Sequence, residues 1–146
     1  APGAFPRLTD MGVEPFLVAS SLLMILAQRL VRRVCSECKQ PYEPLDGELS
    51  DLGLTRADVQ NREVFKAAGC DVCLKTGYKG RTGIYSLLEV SDVIRDVVMK
   101  EADGATIKKV AVANGMKTLR DDGIRKVFEG ETTFEEVMRV TSEDSR

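Results

Sequence analysis

Four cysteines in two Cys-x-x-Cys pairs are the residues whose types and spacing could do chemistry. Cys35 and Cys38 form the first pair and Cys70 and Cys73 the second; the chain has no other cysteine and no histidine. Two residues between thiols let one tight turn direct both sulfurs at one ion, and two such pairs complete the tetrahedron that zinc prefers. Because four thiolates fill the coordination shell, we predict a structural zinc ion with no open catalytic position.

Disulfides and a redox-active Cys-x-x-Cys pair are the alternatives to zinc. The two pairs are separated by residues 39–69, a longer interval than in the commonest zinc ribbons. Such an interval costs little, because the entropy of loop closure grows slowly with length. The pairs are flanked by four basic residues: Arg32, Arg33, Lys39 and Lys75. These would favour the thiolate form, or they would form an ordinary solvated basic surface, and both interpretations stay open.

Composition limits the class of protein. A chain of 146 residues, 43% hydrophobic and 30% charged, suits one ordinary globular domain or two small ones. The net charge of −2 and the lack of an aromatic and basic stripe give no case for nucleic-acid binding. The longest apolar run, residues 16–27, is too short to span a bilayer, and no signal peptide is visible. We therefore expect a cytosolic protein and, because it begins without Met, a fragment of a longer one.

A glycine-rich segment, residues 77–83, is the second stretch that could bind a ligand. Its three glycines at three-residue spacing predict a tight, exposed loop. It is not a P-loop, because Lys79 precedes Gly80 and a strand is predicted next. A structural turn is the favoured interpretation, and Arg81 is the best single candidate for a phosphate contact.

No catalytic residues can be assigned. The absence of histidine removes the usual triad and most general bases. The adjacent carboxylates Asp121 and Asp122, and Glu135 and Glu136, are interpreted as solvated helix surfaces or caps.

Elements on either side of the cysteines must position them. A strand over residues 25–34 is predicted to lead into the first pair, although its periodicity does not decide between strand and helix. Before it, Pro15 predicts the start of a helix. Its apolar surface is predicted to comprise Phe16, Leu17, Leu23 and Met24. Between the pairs, Thr55 and Asp58 predict the cap of a short helix, and residues 63–67 a strand.

The remainder after the second pair is predicted to be mostly helical. A strand over residues 84–90 precedes the helices, which are predicted over residues 92–100, 105–113, 119–128 and 134–140. Ser91 and a capping box from Thr133 to Glu136 predict the starts of the first and last of these helices. Val93, Ile94, Val97 and Val98 are predicted to form the apolar stripe of the first. The polar residues 142–146 are expected to fray.

The order of the motifs resembles a known family. In sequence they are DMGVEPFL at 10–17, LAQRLVR at 26–32, the four cysteines, GYKGRTGIY at 77–85, LRDDG at 119–123 and TTFEEVMRVT at 132–141. This order resembles the C-terminal end of the ATPases that drive type II secretion and type IV pilus assembly, the GspE/PilB family. The resemblance covers essentially the whole chain. The first and last motifs look more like the secretion branch than the pilus branch.

The resemblance implies a mixed α/β (α+β) fold in three parts. Residues 1–34 would be the last pieces of a RecA-like ATPase core, and residues 35–75 a tetracysteine zinc module. Residues 76–146 would be a mostly helical C-terminal subdomain. All four cysteines match the family's zinc ligands. Arg81 matches an arginine that lies near the nucleotide in the family, whereas Lys79 stands where the family's motif has another arginine.

The resemblance also implies a function for a longer parent protein. That protein would be a hexameric ATPase using ATP and Mg²⁺ at the cytoplasmic face of the inner membrane, where it docks to a membrane platform protein. In the family, the Walker A loop and the catalytic glutamate lie upstream of these motifs, and neither occurs here. We therefore expect this chain alone to be unable to hydrolyse ATP and to bind it weakly or not at all. An independent zinc-scaffolded adaptor and a thiol-disulfide redox protein are the rival hypotheses.

Overall fold

The structure is a computed structural model that describes residues 1–142. Apart from Ser142, the predicted polar tail therefore lies outside the described residues. Helices and short strands alternate along the chain, giving the predicted mixed α/β fold. In chain order the elements are α1 (Ala4–Asp10), α2 (Pro15–Ser21), β1 (Met24–Val34), β2 (Gln40–Pro41), α3 (Asp46–Asp51), α4 (Arg56–Val59), β3 (Phe65–Lys66), β4 (Tyr78–Glu89), α5 (Asp92–Met99), α6 (Gly104–Ala113), α7 (Leu119–Phe128) and α8 (Phe134–Thr141).

The long strands β1 and β4 pair with each other. At one end the amide of Val90 donates to the carbonyl of Leu23 at 2.9 Å, and at the other the amide of Cys35 donates to Gly77 at 2.9 Å. The start of β1 thus lies beside the end of β4, so the pair is antiparallel. This confirms the predicted strand before the first cysteine.

The predicted exposed loop over residues 77–83 is wrong, because β4 already begins at Tyr78. Gly80 has a φ of +79° within the strand. Glycine adopts this conformation without steric cost, and a glycine inside a strand often marks a bulge or a tight bend. Two of the three glycines, Gly77 and Gly80, thus have the unusual backbone that the spacing predicts, but Gly83 does not, and the segment remains a strand.

The chain divides into two compact units, and the first comprises Ala1–Gln28 and Tyr85–Thr118. Its helices bury an apolar cluster that includes Phe5, Leu88 and Ile107. In α5 the predicted apolar stripe is confirmed for Ile94 and Val98, which are buried, and for Val97, which is partly buried against the cluster, whereas Val93 is exposed.

The predicted apolar surface of α2 is wrong. The helix ends at Ser21, so Leu23 and Met24 lie outside it, and its buried residues are Val18 and Ala19. Phe16 is 62% exposed, and Leu17, Leu23 and Met24 are also exposed. The core side of this helix is thus formed by its small central residues.

Helix α6 shows how the ends of the predicted helices are fixed. It begins at Gly104, where the carboxylate of Asp103 accepts a hydrogen bond from the amide of Thr106 at 2.8 Å. This satisfies one of the free amides of the first turn. The predicted bounds of the four C-terminal helices are confirmed to within one or two residues.

The second unit comprises Arg29–Ile84 and Leu119–Arg146, of which residues 119–142 are described. Its apolar cluster consists of Leu49, Leu52, Val64, Ile124, Val127, Phe134 and Val137. Helices α7 and α8 approach closely at Gly123, where an added Cβ would lie 2.7 Å from Val137. A side chain at this position would separate the two helices.

Two short elements of the second unit were predicted from local patterns. The capping box of Thr55 and Asp58 is present at the start of α4. The strand predicted over residues 63–67 is confirmed only for Phe65 and Lys66, which pair with Pro41 and Gln40. Among the described helices, none is long and apolar enough to cross a membrane. The three-part division at residues 1–34, 35–75 and 76–146 stays a prediction.

Candidate metal centre

The sulfur atoms of the four cysteines converge on one point, all lying within 4.8 Å of one another. Sγ of Cys35 lies 3.9 Å from that of Cys70, and Sγ of Cys73 lies 3.9 Å from Cys38 and 3.8 Å from Cys70. Cys35 and Cys73 are buried, with 1% and 5% of their surface exposed. The two pairs that are distant in sequence thus form one cluster.

Paired strands and two tight turns bring the cysteines together. Strand β1 ends at Val34 and leads directly into Cys35. The first turn closes when the amide of Lys39 donates to the carbonyl of Cys35 at 3.0 Å, and the second when Lys75 donates to Cys70 at 2.7 Å. Strand β2 follows the first turn and β3 precedes the second, so their pairing places the two turns side by side.

Two glycines make the second turn possible. Gly69 has a φ of +107°, and an added Cβ would lie 2.9 Å from the carbonyl oxygen of Lys75. Gly77 has a φ of +83°, and its Cβ would lie 2.5 Å from Cβ of Ala67. Both positions combine a left-handed backbone with a close approach, so the turn requires glycine at each.

The spacing of the sulfurs fits a tetrahedral metal ion. Four sulfurs about 2.3 Å from zinc at the corners of a tetrahedron lie about 3.8 Å apart. Three of the sulfur-sulfur separations, 3.8 to 3.9 Å, match this value. A disulfide would bring two sulfurs to about 2.0 Å, and all four cysteines are free. The group can therefore hold a metal ion.

Backbone amides act on the same sulfurs. Burial disfavours the Cys73 thiolate, but the amides of Cys70 and Gly77, each 3.2 Å away, outweigh it and lower the pKa of Cys73 to about 6. The amide of Gly69 favours the Cys38 thiolate, but burial and the three neighbouring thiols raise the pKa of Cys38 to about 11. Neighbouring thiolates repel one another, so four of them at this distance need a cation.

The basic residues beside the cysteines have partners of their own. Lys75 forms an ion pair with Asp71 at 2.8 Å. Lys39 donates to the carbonyl of Gly130 at 3.3 Å, and its ammonium lies 4.2 Å from the centre of the Phe65 ring. Lys39 therefore has contacts within the second unit, whereas Lys75 and Asp71 form an exposed ion pair.

The sequence interpretation missed the buried carboxylate of Glu136, which was expected to be solvated or to complete a capping box. Thr133 does accept a hydrogen bond from the amide of Glu136 at 3.1 Å. The Glu136 side chain, however, is 0% exposed and pairs with Arg32 and Arg139. Only half of the predicted capping box therefore forms. The local pattern could not reveal this, because Arg32 is distant in sequence.

Arg81, the predicted phosphate contact, lies exposed on β4. It belongs to the second unit, as do the cysteines. Its predicted contact with nucleotide stays a prediction.

Known proteins match the chain along almost its whole length. The sequence matches the family described as type II/IV secretion system proteins over residues 1–139. It is 47% identical to the type II secretion system ATPase E of Vibrio cholerae over 146 residues, covering 98% of this chain and 28% of that protein. The type II secretion system protein E of Pseudomonas aeruginosa is 46% identical over 142 residues, covering 97% of this chain and 28% of that protein.

A pilus protein matches equally well. The type IV pilus assembly ATPase PilB of Thermus thermophilus is 46% identical over 140 residues, covering 96% of this chain and 16% of that protein. This chain thus spans less than a third of the length of the relatives it matches.

Fold and site together define a mixed α/β protein with a tetracysteine cluster that can hold a metal ion. The chain belongs to the family of type II/IV secretion system proteins, and the relatives from Vibrio cholerae and Thermus thermophilus are named as ATPases.

Proposed function

We propose that this chain is the zinc-binding, partner-contacting part of a type II secretion ATPase. Cys35, Cys38, Cys70 and Cys73 bind one structural zinc ion, which connects the two turns of the second unit. The observation that carries this proposal is the convergence of all four sulfurs within 4.8 Å of one another.

The donor set favours zinc over redox chemistry. Four soft thiolates with tetrahedral spacing suit zinc, which has no redox chemistry of its own, although iron can occupy similar sites. A redox-active pair needs only the two thiols of one Cys-x-x-Cys turn. Here the close contacts also run between the turns, from Cys35 to Cys70 and from Cys38 to Cys73. One metal ion bound by all four sulfurs accounts for the close approach both within and between the turns.

The activity of the whole protein is proposed from the relatives. Two of them carry ATPase in their names. We propose that a hexameric parent protein binds ATP and Mg²⁺ and that Arg81 contacts the nucleotide there. This chain has no P-loop motif, so alone it should not hydrolyse ATP. ATP turnover by the purified chain above a buffer blank would contradict this.

Exposed apolar side chains support a role in contacting partners. On the first unit, the exposed large apolar residues include Phe16, Leu17, Leu26, Tyr85 and Leu87. Contiguous patches of exposed apolar residues mark interaction surfaces more often than single scattered residues do. The proposed partners are other ATPase subunits and the cytoplasmic domain of a membrane platform protein, which would place the parent at the inner membrane.

The type IV pilus branch is the second candidate function. The observation in its favour is the 46% identity to the pilus protein of Thermus thermophilus, as high as that to the Pseudomonas secretion protein. The motifs at 10–17 and 132–141 favour secretion. Complementation of a strain lacking either ATPase with a chimera carrying these residues would separate the two: rescue of secretion alone supports the proposal, and rescue of piliation alone contradicts it.

Elemental analysis of the reduced, purified chain tests the metal proposal. We expect one zinc per chain and four thiols that react with a thiol reagent only after a chelator is added. Cys70→Ser should lose the zinc, whereas Ser36→Ala, an exposed residue within the first turn, should retain it. A folded chain without metal, whose thiols cycle with disulfides, would establish the redox hypothesis instead.

A further inference from the structure

Glu136 is a buried carboxylate that the cysteine cluster does not explain. Its Oε2 accepts hydrogen bonds from the backbone amide of Arg32 at 3.1 Å and from Nε of Arg32 at 2.5 Å. Its Oε1 accepts from Nε of Arg139 at 2.6 Å. A carboxylate with 0% exposure is stable only when it is paired in this way.

The same part of the chain also binds the backbone just before the first cysteine. The hydroxyl of Thr132 donates to the carbonyl of Arg32 at 2.8 Å. The amide of Val34 donates to the carbonyl of Glu131 at 3.0 Å. Together with the bond from the amide of Arg32 to Glu136, these contacts fix three backbone groups in the last residues before Cys35.

A second arm of the network reaches the other side of the cluster. The guanidinium of Arg32 lies 4.1 Å from the centre of the Tyr78 ring, and the Tyr78 hydroxyl is hydrogen-bonded to Thr133 at 2.8 Å. Tyr78 directly follows Gly77, whose carbonyl accepts from the amide of Cys35 and whose amide donates to Sγ of Cys73. The hydrogen-bond network of Glu136 therefore reaches residues that adjoin or contact Cys35 and Cys73.

We infer that Glu136 is a positioning residue of the metal centre, acting through Arg32 on the end of β1, which leads directly into Cys35. The inference rests on the proposed binding of a metal. The end of β1 is fixed by residues 131–136, so removal of the Glu136 charge lets Cys35 leave the ion more often. Groups behind metal ligands affect metal affinity by orienting the ligands, although they never touch the ion. Helix α8 is thereby coupled to metal retention.

The test is the rate at which the zinc-loaded chain releases zinc to a chromogenic chelator at neutral pH. Glu136→Gln keeps the size of the side chain but loses its charge, and we expect release about tenfold faster, the lower end of the range for such groups. Glu135→Gln is the matched control, since Glu135 is the exposed neighbour on the same helix. Its release rate should stay within about twofold of the wild type.

A second variant separates positioning from a general loss of stability and serves if Glu136→Gln fails to fold. Thr132→Val removes the hydroxyl bound to Arg32 and should also speed release. Thr141→Val is its control: it removes a buried hydroxyl of α8 that donates to Val137. Even if Thr141→Val lowers the global stability as much as Thr132→Val does, it should leave the rate of zinc release unchanged.

Three results decide between the possibilities. Faster release in Glu136→Gln and Thr132→Val, but not in Thr141→Val, supports the inference. If the chain binds zinc but all variants release it within about twofold of one another, the inference is wrong and the metal proposal stands. If the wild-type chain binds no zinc, the proposed function fails first and the inference with it.

Discussion

The two units of the molecule are stabilised by different interactions. The first buries apolar side chains from α1, α2, α5 and α6, and it contains no cysteine. The second has an apolar cluster as well, but also the four cysteines and four of the five buried polar residues among those described. Apolar packing tolerates small shifts, whereas sulfur geometry and buried hydrogen bonds do not. The units should therefore respond differently to the same kind of change.

The largest expected difference follows loss of the metal. Removal of zinc, or Cys70→Ser, should unfold residues 35–73, because binding in structural zinc sites contributes on the order of 10 kcal/mol to folding. The helices of the first unit should remain. Circular dichroism with limited proteolysis checks this: protease-resistant fragments that cover residues 1–28 and 85–118 should survive metal removal.

Ser36→Ala, in the first of the two cysteine turns but not a ligand, is the control for that experiment and should leave the proteolysis pattern unchanged. Equal loss of both units after metal removal would show that they form one cooperative structure. Unchanged stability and zinc content in Cys70→Ser would contradict the proposed metal site.

The reverse experiment destabilises the first unit by a substitution in its apolar cluster. Ile107 is fully buried there, and Ile107→Ala should cost about 2–5 kcal/mol of that unit's stability through the lost contacts and the cavity. Zinc content should not change, since no cysteine belongs to this unit. Val112→Ala, an exposed position on the same helix, is the control. Zinc loss in Ile107→Ala would show that the units are not independent.

A pair of glycines sharpens the comparison at the level of the backbone. Gly77 and Gly115 both have a left-handed φ, but an added Cβ clashes only at Gly77, beside the cysteines. Gly115, in the first unit, has no atom within 4 Å of that position. Gly77→Ala should therefore cost about 2 kcal/mol more than Gly115→Ala, measured by denaturant unfolding. Equal costs would mean that backbone strain alone matters at both sites.

The smallest expected effect is a pH dependence in the first unit. The hydroxyl and backbone amide of Thr106 hold the pKa of Asp103 below its ordinary 3.8. A carboxyl group with a lowered pKa in the folded state stabilises it above the ordinary pKa, and this contribution is lost as the pH falls below about 3.8. Asp103→Asn keeps a hydrogen-bond acceptor but does not titrate, so it should flatten the acid side of the stability profile.

Melting temperatures across the acid range check this prediction. Asp103→Ala, which removes the cap altogether, should lower the melting temperature by about 3 °C at neutral pH. An Asn variant with the same acid slope as the wild type would show that other groups cause that slope.

Sequence patterns predicted local features well. The two Cys-x-x-Cys pairs indicated a cluster that the structure forms, and helix α7 has the predicted bounds. The helix bounds and each Cys-x-x-Cys turn depend on neighbouring residues, and the two pairs, although 35 positions apart, were linked because four thiols suit one metal ion. The Thr55 cap, three residues from Asp58, is likewise local.

Features that depend on distant residues could not be predicted. Glu136 looked like a helix cap because its ion-pair partner, Arg32, lies about a hundred positions away. Residues 78–83 looked like a loop because only their pairing with β1 makes them a strand. Phe16 looked like core because hydrophobicity does not show which side of a short helix is covered.

Hydrogen exchange with and without a chelator tests most directly the claim that a metal at the four cysteines stabilises one unit and not the other. After chelation, amides near the cysteines and in β3 should lose protection by orders of magnitude, whereas those of α5 and α6 should change by no more than about threefold. Uniform loss across both units, or no change in either, would contradict the account.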